Sequence, residues 1–181
     1  MANGTLKVEN IQTSSGSGTI TLGQSGETIA FGSGVTSKMN QPAFRATMSA
    51  NQTITTSTVT KVDLDTTDYD TDNAFDTTNN RFTIPSGKAG KYLINIRGQM
   101  SLADQDNLQL RIGKNGDLVS LSNFYCSNTT GALYNQHADI IDCAVGDYLE
   151  FFVHHNYGSD RDLTAGATDK RTLMSGYRIG S

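Results

Sequence analysis

Asp68, Asp70 and Asp72 occupy alternate positions, and Asp76 follows close behind. Alternating carboxylates of this kind open a calcium-binding loop, because calcium is a hard cation held by about six to eight oxygens. Asn73 stands where an EF-hand loop needs glycine, and Asn79 where it needs a bidentate glutamate. The stretch is therefore no EF-hand. It reads either as an irregular calcium site or as a solvated acidic loop; the expectation is no cofactor, with calcium as the one candidate. His137, His154 and His155 are the only histidines. Neighbouring side chains on a strand point to opposite faces, so at most one of the His154–His155 pair could join His137 around a metal.

Tyr125, Tyr134 and Tyr157 lie at or beside loops that also carry Asn123, Asn128, Asn135, Asn156, Asp160 and Asp162. Phenol faces for stacking and planar amide or carboxylate groups for hydrogen bonding are what a sugar-binding patch needs. The candidate ligand-binding residues are Tyr125, Tyr134, Asn135, Tyr157, Asp160 and Asp162, with ordinary amphipathic surface as the competing reading. Catalysis has little support. No Gly-x-Ser-x-Gly elbow is present. Glutamate occurs only at positions 9, 27 and 150, and nothing singles out a carboxylate pair for glycoside hydrolysis. The expectation is a non-enzymatic protein.

Composition narrows the partners. Of 181 residues, 36% are hydrophobic and 18% charged, with a net charge of −4. Without a basic run or field, nucleic acid is not an expected partner. No apolar stretch approaches the roughly 20 residues of a membrane helix, and the opening Met-Ala-Asn-Gly lacks a signal-peptide core. The expectation is a protein made in a cytoplasm, with no membrane insertion. Cys126 and Cys143 do not make a disulfide framework and are expected as thiols.

The elements that would position these groups are strands. Asn79 to Met100 reads as a short strand (81–84), a turn on Pro85, Gly87 and Gly90, and a longer strand (91–100), together a central hairpin. Proline cannot donate to a ladder and ends the first strand. Tyr92, Ile94, Ile96 and Gly98 then share one face and Leu93, Asn95 and Arg97 the other. Further strands are expected at 42–48, 59–64, 108–112, 118–125, 132–142, 149–155 and 171–179, with a hairpin turn at Asn115-Gly116. Residues 63–76 and 158–170 read as polar loops. Residues 1–40 hold three short Gly-led alternating segments that bury too little to fold alone. They read as a stem shared between chains, or as a flexible Gly/Ser tail.

Asn80-Arg-Phe82, Pro85, Gly90, Tyr92 and Ile94 resemble the Asn-x-Phe-x-x-Pro-x-x-Gly-x-Tyr-x-Phe pattern of C1q/TNF-like heads, with two extra residues before Gly90 and Ile94 where an aromatic is usual. Pro42-Ala-Phe44-Arg-Ala46, Thr60-Lys-Val62-Asp-Leu64, Leu110 to Gly116, Val145 to Leu149 and Ser175-Gly-Tyr177 are similar to that family's other motifs, in order. The resemblance implies an all-β jelly-roll β-sandwich over residues 41–181, assembled as a homotrimer. It places Phe44, Phe82, Tyr92, Tyr148, Phe151 and Tyr177 in the core or the trimer interface. The opening (Thr5-Leu-Lys-Val8, Ile11-Gln12, Gly18-Thr-Ile-Thr-Leu22, Gly26-Glu-Thr-Ile29) is similar to the openings of tailed-phage fibre and virion appendage proteins. The combined expectation is a virion tail fibre or short fibre. Residues 1–40 would contact other virion proteins, and the trimeric head a host-surface glycan or protein. Alternatives are a capsid-surface fibre or decoration protein and a bacterial C1q-like lectin module.

Overall fold

A computed structural model describes residues 11, 41–127, 131–166 and 168–180. The expected stem, 1–40, lies outside the described residues apart from Ile11, as does Asn128. The described part of Asn40–Ser181, one compact unit, is all-β. Its strands are β1 (Ala43–Thr47), β2 (Gln52–Ile54), β3 (Thr60–Lys61), β4 (Thr66–Asp70), β5 (Phe75–Asp76), β6 (Arg81–Thr83), β7 (Gly90–Leu102), β8 (Asn107–Lys114), β9 (Asp117–Tyr125), β10 (Gly131–Cys143), β11 (Tyr148–His155), β12 (Arg161–Leu163) and β13 (Leu173–Gly180).

The strands form two antiparallel sheets. In the first, β4, β1, β13, β7 and β10 lie side by side, and β12 with β2 continues the sheet from Met100 of β7. In the second, β5, β6, β11, β8 and β9 lie side by side, with β3 also on β11. The sheets face each other across one apolar core. Along β7 the expected alternation holds: Tyr92, Ile94, Ile96 and Met100 are fully buried, while Leu93, Asn95 and Arg97 face outward, half-buried. Opposite them Leu108, Leu110 and Ile112 of β8 and Leu149, Phe151 and Val153 of β11 complete the core. The chain closes it with stacked rings, Phe44 on Phe82 at 4.1 Å between centroids.

Three expectations are corrected here. The stretch around Pro85 is no hairpin: β6 pairs with β11 and β5, whereas β7 pairs with β10, β13 and β12. The chain crosses from one sheet to the other at the proline, so Phe82 and Tyr92 meet across the core, 6.0 Å apart, rather than side by side on one face. Residues 63–76 are not a free loop, because β4 pairs with β1 as an edge strand. An edge strand facing solvent tolerates the aspartates that argue against a core strand. Within 158–170, β12 inserts Leu163 into the core.

Gly90 is required where it stands. Its φ is +141°, and a Cβ there would sit 2.1 Å from the backbone oxygen of Gly180. Gly90→Ala is expected to cost about 2–4 kcal/mol, from the positive φ together with displacement of the end of β13. Gly146→Ala, at φ +85° with open space around it, meets only the backbone term and is expected to cost about 1 kcal/mol. Urea midpoints of the two variants check the difference, and equal losses would refute it.

One end of the sandwich, the base, gathers Pro42, the turns at 85–89 and 115–116, and the turn at 144–147. Arg178 N–H donates to Pro42 C=O, Ile84 N–H to Asp147 C=O and Gly146 N–H to Ile84 C=O. Asn115 and Gly116 both have positive φ, the backbone that a tight turn matched to strand twist requires. Asp147 organises this end, accepting from Asn115 Nδ2 at 2.7 Å and Ala144 N–H at 2.8 Å and pairing with Lys114 Nζ at 2.9 Å. The Asn115 and Lys114 hydrogen bonds, followed by the Ala144 amide, pull its carboxyl down to about 2 from an ordinary 3.8. A lowered folded-state value means the unfolded chain takes the proton first. This contribution is therefore complete above the unfolded value of 3.8 and is lost as pH falls toward 2. Asp147→Asn is expected to flatten that part of the acid-stability profile, measured as urea midpoint against pH.

Candidate functional site

The distal end, opposite the base, holds part of the expected ligand patch. There β2 pairs with β12, and the turn after β11 carries Tyr157. The Arg161 guanidinium lies 3.5 Å over the Tyr157 ring. Asp160 Oδ1 accepts from Thr56 N–H at 3.1 Å, and Asp162 Oδ1 from Thr53 Oγ1 at 2.8 Å. Thr56 Oγ1 donates to Tyr157 C=O. These side chains stand on a rigid mount. His155, fully buried, has Nε2 3.0 Å from Ile54 C=O and accepts at Nδ1 from Tyr157 N–H at 3.2 Å. Tyr157, Asp160 and Asp162 are thus brought together, and Tyr125 projects into solvent at the same end, where β9 finishes. Tyr134 is exposed on the outer face of the first sheet. Asn135 is not a surface residue. The alternation that turns Tyr134 outward turns Asn135 into the space between the sheets, where it is buried, donates to Leu108 C=O at 3.0 Å and accepts from Ser122 Oγ at 3.1 Å.

The four aspartates do not converge. Asp68 pairs with Arg45 at 3.2 Å. Asp70 accepts from the backbone amides of Asp72 and Phe75, and Asp72 from Thr71 Oγ1. Asp76 caps the following turn through Thr78 N–H, Asn79 N–H and Asn79 Nδ2. The Asn79 bonds, side chain first, hold its carboxyl below the ordinary range. Among the described residues no three His, Cys, Asp or Glu side chains form a metal-holding group. His154 faces outward and His155 inward, as alternation requires. Burial first, then the Arg111 and His155 charges, depresses the His154 imidazole. No disulfide joins Cys126 and Cys143, both buried, and burial pushes the Cys143 thiol up to about 11.

Of the six aromatics assigned to core or interface, Phe44, Phe82, Tyr92 and Phe151 are fully buried. Tyr148 is half-buried under the Arg81 guanidinium, 4.5 Å away. Tyr177 belongs to a feature that periodicity alone does not assemble. On the outer face of the first sheet, Ile140 of β10 pairs with Leu93 of β7, which pairs with Tyr177 of β13, which pairs with Ala43 of β1. Ile140 is 53% exposed, Tyr177 49% and Tyr69 of β4 49%. Between Tyr69 and Tyr177 lies a groove of about 410 Å³, also lined by Leu93, Asn95, Gln136 and Ser175. On the other sheet, the edge strand β9 carries exposed Leu118, Val119, Leu121 and Phe124. An exposed apolar row such as that from Ile140 through Leu93 to Tyr177 is the kind of surface that marks an interaction face.

The sequence reading also missed a meeting of Ser120, His137 and Asp139, where β9 faces β10 across the open seam of the sandwich. Ser120 Oγ donates to Asp139 Oδ2 at 2.5 Å and stands 2.7 Å from His137 Nε2. These are triad residue types in the wrong arrangement for acyl transfer. Asp139 accepts the serine proton rather than orienting the imidazole, so the hydroxyl is not aimed at a base that could activate it. The His137-x-Asp139 spacing, which puts both on one face of a strand, is the signal that was legible.

The two-sheet arrangement is a C1q/TNF-like jelly roll. No family model and no curated protein matches the sequence, but solved structures do match the fold. Eiger TNF from S. frugiperda superposes with a TM-score of 0.57 at 10% identity, covering 78% of this chain and 92% of that one. The globular domain of the zebrafish complement 1qA protein gives 0.53 at 17% identity, covering 77% and 98%. The PRD1 vertex protein P5 gives 0.55 at 16% identity, covering 77% and 96%. At identities this low the superpositions show the fold alone, and function has to be argued from the surfaces.

Proposed function

We propose that the chain is a non-enzymatic structural appendage of a tailed-phage virion, a tail fibre or short fibre, whose jelly-roll heads form homotrimers and adsorb to the host surface. The observation that carries this reading is the apolar outer face of the first sheet, on a fold shared with C1q and TNF domains and with a viral vertex protein. Three copies packed around one axis, the arrangement implied by the C1q/TNF resemblance, would cover Tyr177, Ile140 and Leu93. The polarity of the head suits adsorption. The chain enters at the base, and Tyr125, Tyr157, Asp160 and Asp162 stand at the other end, where a glycan or a protein loop would be met. Trimeric display multiplies weak contacts. Residues 1–40 would dock on other virion proteins. No cofactor enters this reading, since a calcium ion at Asp68–Asp76 would have to displace the ion pair and caps described above. A capsid-surface fibre is the second reading, favoured by the likeness to the PRD1 vertex protein.

Purified full-length protein is expected to compete with virions for host adsorption, and Tyr157→Ala with Asp162→Ala to weaken that competition. A trimer that neither binds host cells nor blocks adsorption would sink the receptor role. Immunogold labelling of virions separates tail from capsid.

A further inference from the structure

β9 ends the second sheet: it pairs with β8 on one side and, among the described residues, with no strand on the other. An edge strand offers a row of free amide and carbonyl groups to any extended chain, and proteins guard such edges with short length, charge, proline or bulges. The other edge strands here are guarded. β2, β3 and β5 have three, two and two residues, β4 carries Asp68 and Asp70, and β10 carries His137, Asp139 and Asp142. β9 instead runs Asp-Leu-Val-Ser-Leu-Ser-Asn-Phe-Tyr over nine residues, with no lysine, arginine, histidine or proline. Its one carboxylate, Asp117, is the first residue, and its one irregularity falls near that same end, opposite Gly113. Leu118, Val119, Leu121, Phe124 and Tyr125 are each about half exposed.

We propose that β9 is an association edge for a second copy of this chain, joined β9 to β9 in antiparallel register about a two-fold axis at Leu121. The strand's own sequence selects that partner. Turned about Leu121, Ser120 comes opposite Ser122 of the second copy, Leu118 lies near its Phe124, and Leu121 meets Leu121. Two-fold pairing uses the same patch on both copies, so a charge near the axis would face its own kind, which destabilises a strand pair. Here the centre is uncharged, and Asp117 at the end comes opposite Tyr125. Ser120 and Ser122 can keep the bonds that they make to Asp139 and Asn135 across the seam, so the inward side of the strand needs no rearrangement. The contact lies on the second sheet, apart from the row of Ile140, Leu93 and Tyr177 on the first, and stands whether or not that row closes a trimer. The regular part of the ladder is short, residues 120–125, and covers much less than the roughly 1,200–2,000 Å² of a stable interface. It is therefore weak in dilute solution and forms where many copies are held close together.

Sedimentation equilibrium of the full-length protein, from about 10 μM to about 1 mM, is expected to give a mass that rises reversibly with concentration. Over the same range hydrogen exchange should slow for amides within 120–125. Leu121→Lys sets two ammonium groups face to face at the axis and should weaken association at least about tenfold. Leu121→Ile should associate as the wild type does. The Leu121 side chain is about half exposed, so both variants are expected to fold, and circular dichroism checks it. The proposal is overturned if the wild-type mass stays constant up to about 1 mM, if folded Leu121→Lys associates as the wild type does, or if exchange slows only outside 120–125. None of these readouts uses a receptor, so a failure of host adsorption leaves them unchanged.

Discussion

Phe82→Ala is expected to lower the free energy of unfolding by about 3–5 kcal/mol, a large share of the roughly 5–15 kcal/mol that holds a domain folded. Phe82 is fully buried. Its ring stacks on Phe44 at 4.1 Å with planes 11° apart and lies 6.0 Å from Tyr92. Phe44 in turn meets Phe75 at 5.5 Å. Truncation removes the transfer energy of the ring and leaves a void bounded by strands of both sheets, which cannot collapse without shifting β1, β6 or β7. The position is also a topological joint, because β6 has only three residues and holds its place on β11 through Phe82 and its neighbours. Val119→Ala, at a side chain 46% exposed, should stay within about 0.5 kcal/mol. Chemical denaturation at fixed protein concentration measures both, fixed because an oligomer's apparent stability depends on it. A loss below about 1 kcal/mol for Phe82→Ala would mean the aromatic cluster is not the joint between the sheets.

The second large effect is on assembly. Ile140→Asp combined with Tyr177→Asp is expected to convert a trimer of the full-length protein to monomer in light scattering, with the fold intact by circular dichroism. Both side chains are about half exposed on the single chain, so their loss removes little from its own core. In a trimer closed over this face, each carboxylate would have to be stripped of water without a partner, at a cost of several kcal/mol per ion. Specific interfaces bury about 1,200–2,000 Å² in total, and a charge at the apolar centre of such a patch is poorly tolerated. Val145→Asp, an exposed change in the turn at the base, should leave the mass unaltered. If the double variant stays trimeric, the chains meet through some other surface, and the assignment of this face fails.

How much of this was readable beforehand depends on the range of the interaction. Local alternation placed β7, β8, β10, β11 and β13 and put Tyr92, Ile94 and Ile96 on one buried face, because strand periodicity is written residue by residue. Pro85 and the Asn115-Gly116 turn were legible for the same reason: backbone restrictions act on the residue that carries them. The motif order around Phe82, Pro85, Gly90 and Tyr92 carried the jelly-roll architecture. What lay beyond reach was pairing between distant segments. Nothing local says that the chain changes sheets at Pro85, since a turn inside a hairpin and a crossover between sheets use the same residues. Asp68, Asp70, Asp72 and Asp76 looked like a ligand set, yet each found a separate donor, and their polarity concealed an edge strand held by β1. Asn135 was grouped with Tyr134 by proximity in the chain, although alternation sends the two to opposite sides. Composition, periodicity and motif order, then, determined an all-β sandwich with a conventional core and little sign of catalytic machinery. Only the tertiary structure decided which exposed residues share a face and that Ser120, His137 and Asp139 meet, because those distances depend on strand order and register, which are set by contacts far apart in the chain.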